Sequence, residues 1–206
     1  MKRLVVSVEG PTERAFVQQI LSPHLTALGW SVCKAVLLGD RGGNVSLPRI
    51  RKDVRLLARN FDCVTTLYDL YGFQGRGTRS ALAMEQAMTE AVGDVPSFIP
   101  YVQKFEFEAL LFSDVAAIYR TLGGAANVFS QLKQASSSAL SPEEINDGFD
   151  TCPSRRLLKA YPRYDKVLQG PALAAEIGLA QMRKECPRFA NWVSQLEQHR
   201  LLEGAN

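Results

Sequence analysis

Only two histidines occur in the 206 residues, His24 and His199. Both fall in helical stretches without partner acids, so the sequence offers no histidine general base and no Ser-His-Asp or Cys-His nucleophile. The four cysteines, Cys33, Cys63, Cys152 and Cys186, show no CxxC or other close spacing. That argues against a zinc site or a disulfide framework and suits reduced, mostly buried thiols of a cytosolic protein. No apolar run reaches the roughly 18–20 residues needed to span a bilayer. The N-terminal MKRLVVSVEGPTE has only a short apolar stretch ending in an acid and Gly-Pro, and reads as a strand rather than a signal peptide. A soluble, cytoplasmic protein is the expectation. Neither GxGxxG spacing nor a GK[ST] ending accompanies the glycine-rich segments, so dinucleotide and P-loop sites have no support. Strong charge of one sign is also absent, with 24 basic and 21 acidic residues and a net charge of +3.

The distribution of charge is more informative than its total. From Lys34 to Asn60 the basic residues Lys34, Arg41, Arg49, Arg51, Lys52, Arg55 and Arg59 face only Asp40 and Asp53, seven against two. This segment is either a solvated helix face or a phosphate-facing patch.

A 46% hydrophobic content allows a sizeable core, and the length suits one large domain or a domain with a helical extension. Arg3–Val8 is a β-branched run of strand length, closed by Glu9-Gly10-Pro11. Apolar residues Phe16, Val17, Ile20, Leu21, Leu25 and Leu28 recur at helical spacing, with Pro23 expected to kink or break the helix. A second strand spans 30–38 and ends in the loop Gly39-Asp-Arg-Gly-Gly-Asn44. A basic helix follows over 46–60, then a third strand over 62–68 with Asp69 at its end. The glycine-rich loop 71–77 leads to a helix over about 78–92, a fourth strand over 98–103 and a helical turn over 107–112. Alternation of this kind predicts an α/β fold, a mostly parallel sheet with helices on both faces. No strand is evident beyond Asp114. The expected organisation is an α/β core over 1–113 and a helical extension over 114–206 packed on it as one unit.

In open parallel sheets, ligands bind outside the carboxyl ends of the strands. Glu9 and Asp69 end two strands, and Glu13 lies four residues after Glu9 in the first turn of a helix. Each alone has an ordinary explanation: a first-turn acid, a turn residue, a loop cap. Together they would share one small volume if the first and third strands are neighbours. Like charges about 4 Å apart repel by about 1 kcal/mol in water and about 4 at an effective dielectric near 20. A helix N-terminus returns only about 0.3–1 kcal/mol per acid. Such a cluster must hold a proton or bind a cation, and all-oxygen ligands suit Mg²⁺ or Mn²⁺.

The pattern Val8-Glu-Gly-Pro-Thr-Glu13 at a strand-to-helix turn, with Asp69 at a later strand end, resembles the Toprim domain of topoisomerases, primases and OLD-type nucleases. More closely, the chain resembles a bacterial Toprim-related family, the domain of unknown function family 4276. Its hallmarks appear as Val8–Glu13, Tyr68-Asp-Leu-Tyr-Gly-Phe73, Phe105-Glu-Phe-Glu-Ala-Leu-Leu-Phe112, Asn146-Asp-Gly148, Pro153-Ser-Arg-Arg-Leu157 and Tyr164-Asp-Lys-Val-Leu168. The resemblance implies that Glu9 and Glu13 match the glutamate pair of OLD-type sites and Asp69 the first acid of a DxD motif. Tyr71 stands where the second acid belongs, and Phe105 where relatives are expected to carry histidine. Glu106 or Glu108 could supply the missing oxygen. On a helix the two lie about 200° apart, so one of them faces the site, and Glu106 is favoured. Arg41, Arg155, Arg156 and Lys166 are candidate phosphate contacts, each with a surface or ion-pair role as the alternative.

Three functions remain open at this level. One is a metal-dependent phosphodiesterase, a nuclease acting on DNA or RNA in bacterial defence or nucleic-acid processing, with Glu9, Glu13, Asp69 and Glu106 as metal ligands and catalytic groups. Another is a non-catalytic module binding nucleic acid or a protein, the resemblance implying an AAA-type ATPase partner. The third is a nucleotide phosphohydrolase or nucleotidyl transferase using the same acids.

Overall fold

The structure, a computed structural model, describes residues 2–146 and 148–202. Five strands, β1 (Arg3–Val8), β2 (Val32–Leu37), β3 (Cys63–Asp69), β4 (Phe98–Ile99) and β5 (Val102–Gln103), form a sheet of order β2-β1-β3-β4, with β5 also pairing with β3. Every pairing is parallel. Helices α1 (Pro11–Phe16), α2 (Ser22–Ala27), α3 (Leu47–Leu57) and α4 (Ala81–Val92) connect the strands. They are followed by α5 (Glu108–Leu111), α6 (Val115–Leu122), α7 (Ala126–Ser137), α8 (Pro153–Ala160), α9 (Lys166–Ile177), α10 (Leu179–Glu185) and α11 (Pro187–Leu202). The α/β reading of the sequence therefore holds, and no strand is described after Gln103. None of the described helices is long and apolar enough to cross a membrane.

The chain divides into two compact units, Met1–Gln103 with Trp192–Asn206, and Lys104–Asn191. The sequence-drawn boundary at 113 falls inside the second of them. In the first unit β3 is buried along its whole length, and β1 after its first residue, as central parallel strands covered on both faces must be. The hydroxyls this burial traps are all bonded. Thr65 Oγ1 donates to Ile99 O (2.6 Å) and accepts from Trp192 Nε1 (2.8 Å). Thr66 Oγ1 donates to Tyr101 O and accepts from Tyr101 N, both at 2.9 Å. This bracket explains why the expected fourth strand is two short ones: Pro100 has no N–H for a ladder, and Tyr101 is held by a side chain instead of a strand. The Tyr101 ring stacks on Trp192 at 4.4 Å, which ties the end of α11 into the first core.

Pro23 does not break the first helix. A π-helical stretch, Val17–Leu21, precedes it, and α2 carries Pro23 in its first turn, where the missing N–H is tolerated. His24 also departs from the sequence reading, since its Nε2 lies 2.6 Å from Glu197 Oε1. Their separation of 173 residues hid that partner from local pattern.

In the second unit, buried Glu143 accepts from the N–H groups of Arg188 and Phe189 and so caps the start of α11. All four cysteines are thiols outside any disulfide, and burial pushes Cys33 up to about 11.

Candidate functional site

The strand order makes β1 and β3 neighbours, which meets the condition that the acidic constellation required. The chain passes from β1 outward to β2, then crosses back to β3 on the other side of β1. The β1/β3 boundary is therefore the topological switch point, the place at the carboxyl edge where open parallel sheets bind their ligands. The parallel register runs Leu4↔Cys63 to Val8↔Leu67, so Glu9 comes level with Tyr68, and Asp69 follows one residue later at the same carboxyl edge.

Glu9 is fixed from three directions. Its carbonyl accepts from Gly43 N (2.8 Å), its Oε2 accepts from the backbone N–H of Asp69 (3.3 Å), and its carboxylate lies over Gly72. A β-carbon at position 72 would stand 2.2 Å from Glu9 Oε2 and 2.5 Å from Oε1. The loop after β2 is held as tightly. A β-carbon on Gly42 would meet Glu9 O at 2.3 Å, and Gly42 also has φ 71°, a left-handed conformation that glycine adopts without strain. Asp40 and Asn44 take positive φ in the same loop, as their short polar side chains allow.

Glu13 is buried in the first turn of α1, and its Oε2 turns back toward Gly10, 2.9 Å from where a β-carbon would lie. Gly10 thus gives a second acid room to fold over the end of β1. Asp69 is buried too, at 7% exposure. Among the described residues, however, no three His, Cys, Asp or Glu side chains are grouped closely enough to hold a metal ion. Carboxylate oxygens are the donors that a hard cation takes. Mg²⁺ keeps several waters and is bound through one or two carboxylates plus substrate phosphate oxygens, rather than in an all-protein cage. Glu9 and Asp69 would supply those carboxylates.

A chain of hydrogen bonds runs from buried Tyr68 to half-buried Asp53. Tyr68 OH donates to Ser7 Oγ (2.7 Å), Ser7 Oγ donates to Asp53 Oδ2 (2.9 Å), and Asp53 Oδ1 accepts from Gly39 N (3.3 Å). Burial pushes the Tyr68 phenol far above its ordinary range, so it stays a donor, and burial also raises Asp53. Arg49 completes the support. Its guanidinium donates to the carbonyls of Leu38, Gly42, Gly43 and Asn44, binding the loop from inside. The loops after β2 and β3 then join: Val45 bridges Phe73, and Gln74 N donates to Val45 O (2.8 Å).

Two of the seven basic side chains between Lys34 and Asn60 have backbone partners in the fold. Arg49 is spent on loop carbonyls, and Arg55 Nε donates to Val92 O (2.8 Å). Of the seven basic residues, Lys34, Arg41, Arg51, Lys52, Arg55 and Arg59 are exposed, and Arg49 is half-buried. Tyr71, in place of a second acid, is 38% exposed, with the Arg76 guanidinium 5.6 Å from its ring centre.

The remaining candidates lie in the second unit. Glu106 accepts from Ser154 N and Ser154 Oγ, both at 3.0 Å, and so caps the first turn of α8 with both oxygens. Glu108 is the fully buried acid of the pair, with Lys166 Nζ at 3.7 Å. Arg156 Nε donates to Thr151 O, and the side chain lines a cavity of about 430 Å³ with Lys159, Gln131, Gln134 and Ser138. Arg155 is exposed. Asp147, in the middle of the Asn146–Gly148 motif, lies outside the described residues. The residues that sequence reasoning missed are Gly72, Gly10 and Arg49. The first two were visible as glycines inside the hallmark motifs, whereas Arg49 carried no local signal.

Fold and site together define an α/β protein with an acidic pair at the switch point of a parallel sheet. The chain belongs to the family described as Domain of unknown function (DUF4276), which it matches over residues 8–197. Among solved structures, the C-terminal region of the Xanthomonas campestris pv. campestris OLD protein is similar at 17% identity and a TM-score of 0.41, over 95% of this chain and 98% of that one. No curated protein matches the chain.

Proposed function

We propose that the protein is a Mg²⁺- or Mn²⁺-dependent phosphodiester-cleaving enzyme acting on nucleic acid. The observation that carries this reading is that Glu9 and Asp69 both stand at the carboxyl edge of the neighbouring strands β1 and β3, with the Glu9 carboxylate accepting from the Asp69 N–H over Gly72. The motif resemblance to Toprim and OLD-type sites supports it. A divalent ion bound there supplies a water of lowered pKa and stabilises charge on the phosphate. Glu9 and Asp69 hold the ion and fix its position, because both backbones are locked at strand ends. Glu13, folded back over Gly10, accepts the proton released by the attacking water. Arg41, exposed on the neighbouring loop, offsets charge on the phosphate oxygens.

Cleavage assays on plasmid, single-stranded DNA and RNA with Mn²⁺ test the reading. Glu9→Gln and Asp69→Asn should each abolish cleavage while the fold persists by circular dichroism. Undiminished metal-dependent cleavage by both purified variants would sink it.

A second reading has one observation in its favour: Tyr71 replaces the second acid, and no group of three ligating side chains is found among the described residues. Under it the protein binds nucleic acid or an AAA-type ATPase partner without cutting. Binding that survives Asp69→Asn, with no cleavage by wild type, selects this alternative.

A further inference from the structure

The loop after β3 carries a feature that metal chemistry does not use. Tyr71 follows Asp69 by two residues and immediately precedes Gly72, the residue over which the Glu9 carboxylate lies. An aromatic residue is thereby set one position from the glycine that faces Glu9. It remains 38% exposed, although a Tyr ring in a 206-residue protein has ample core to enter. The Arg76 guanidinium stands 5.6 Å from the ring centre, within cation–π range. On either side of Arg76 the loop is open: a β-carbon on Gly75 or Gly77 would touch nothing within 4 Å. Arg79 Nη1 donates back to the carbonyls of Gly75 and Arg76, closing the loop with an exposed cation. The loop base is fixed to its neighbour by the Val45–Phe73 bridge, so the ring sits on an anchored segment.

An exposed aromatic paired with a guanidinium offers two flat, electron-complementary surfaces beside positive charge. Every nucleobase has a π-face that stacks on such a platform once it is unpaired, whereas bases inside a duplex are already stacked on each other. We infer that Tyr71 and Arg76 form a stacking platform for an unpaired nucleobase next to the acidic pair, making single-stranded nucleic acid the preferred substrate class. Tyr71 is then a specificity residue in the position that relatives with a DxD motif give to an acid. The inference rests on the nucleic-acid reading proposed above.

The test is fluorescence anisotropy with labelled single-stranded DNA and RNA of about 12 nucleotides, within the span of ~4–16 that such grooves cover, and with the blunt duplex of the same sequence. EDTA is present throughout, so that nothing is cut. Wild type should bind the single strand more tightly than the duplex. Tyr71→Ala should weaken single-strand binding roughly 5- to 150-fold, the range for losing one stacked base, and leave duplex binding within twofold. Tyr71→Trp should restore single-strand affinity, which a merely misfolded variant would not. Single-strand affinity unchanged in Tyr71→Ala, or lowered equally for the duplex, overturns the platform while leaving the metal reading standing. Wild type that binds no oligonucleotide removes the platform together with the nucleic-acid reading, and Mn²⁺ binding then reports on the acidic pair separately.

Discussion

The Glu9 carboxylate and the α-carbon of Gly72 face each other across the β1/β3 switch point, so closely that a β-carbon at 72 would lie 2.2 Å from Glu9 Oε2. The obstructing atoms are the far end of a flexible side chain. Gly72→Ala should therefore be accommodated by displacing the carboxylate, not by unfolding the sheet. Its melting temperature should stay within a few degrees of wild type, while Mn²⁺ affinity falls about 10- to 100-fold, the range for losing a ligand's support. Calorimetric titration of the two proteins checks both halves of this expectation.

Arg49 should matter for stability and not for phosphate affinity. Removing a charged donor shared by four carbonyls of a tight loop should destabilise by about 2–4 kcal/mol, read from urea unfolding. Arg49→Lys should recover only part of it, since an ammonium lacks the planar fork. Arg51→Ala, on the exposed side of α3, should change stability by no more than about 0.5 kcal/mol.

Asp53 should impose a pH dependence of definite sign. Burial raises it above the ordinary aspartate value of 3.8, so the folded chain keeps that proton to higher pH than the unfolded chain does. The group's contribution to stability is then greatest below pH 3.8 and declines as pH rises to the folded value. Asp53→Asn keeps an oxygen acceptor for Ser7 or Gly39 and removes the slope. Unfolding free energy of the variant minus that of wild type should grow as pH rises from about 3.8 and then level off. A flat difference curve would show that Asp53 titrates alike in both states.

Glu106 should behave as a cap. With both oxygens on Ser154, Glu106→Ala should lower the stability of the second unit by about 0.5–2 kcal/mol, as loss of a helix cap does. Glu9→Gln should leave that stability unchanged. Urea unfolding followed by hydrogen exchange at α8 separates the two.

The strands and the switch point were legible in the sequence because β-branched runs closed by Gly, Pro and Asp have no competing reading. The predicted first strand matches residue for residue, and the third is displaced by one. Glu9 and Asp69 followed from that, since strand ends define the ligand edge of a parallel sheet. What stayed hidden depends on partners remote in sequence. Thr66 holds Tyr101 and splits the fourth strand, Glu197 meets His24, and Arg49 turns inward although its neighbours read as a basic face. Periodicity cannot report such contacts, because it records which face a residue occupies and not what waits there. The role of Gly72 was half visible: the glycine stood in a motif, but its reason is a carboxylate from another strand.

Calorimetric titration of Mn²⁺ into wild type and into Asp69→Asn tests the central claim most directly. The account predicts saturable binding by wild type that is lost in the variant, with both proteins folded. Folded wild type that binds no Mn²⁺, or a variant that binds it equally well, would contradict the account.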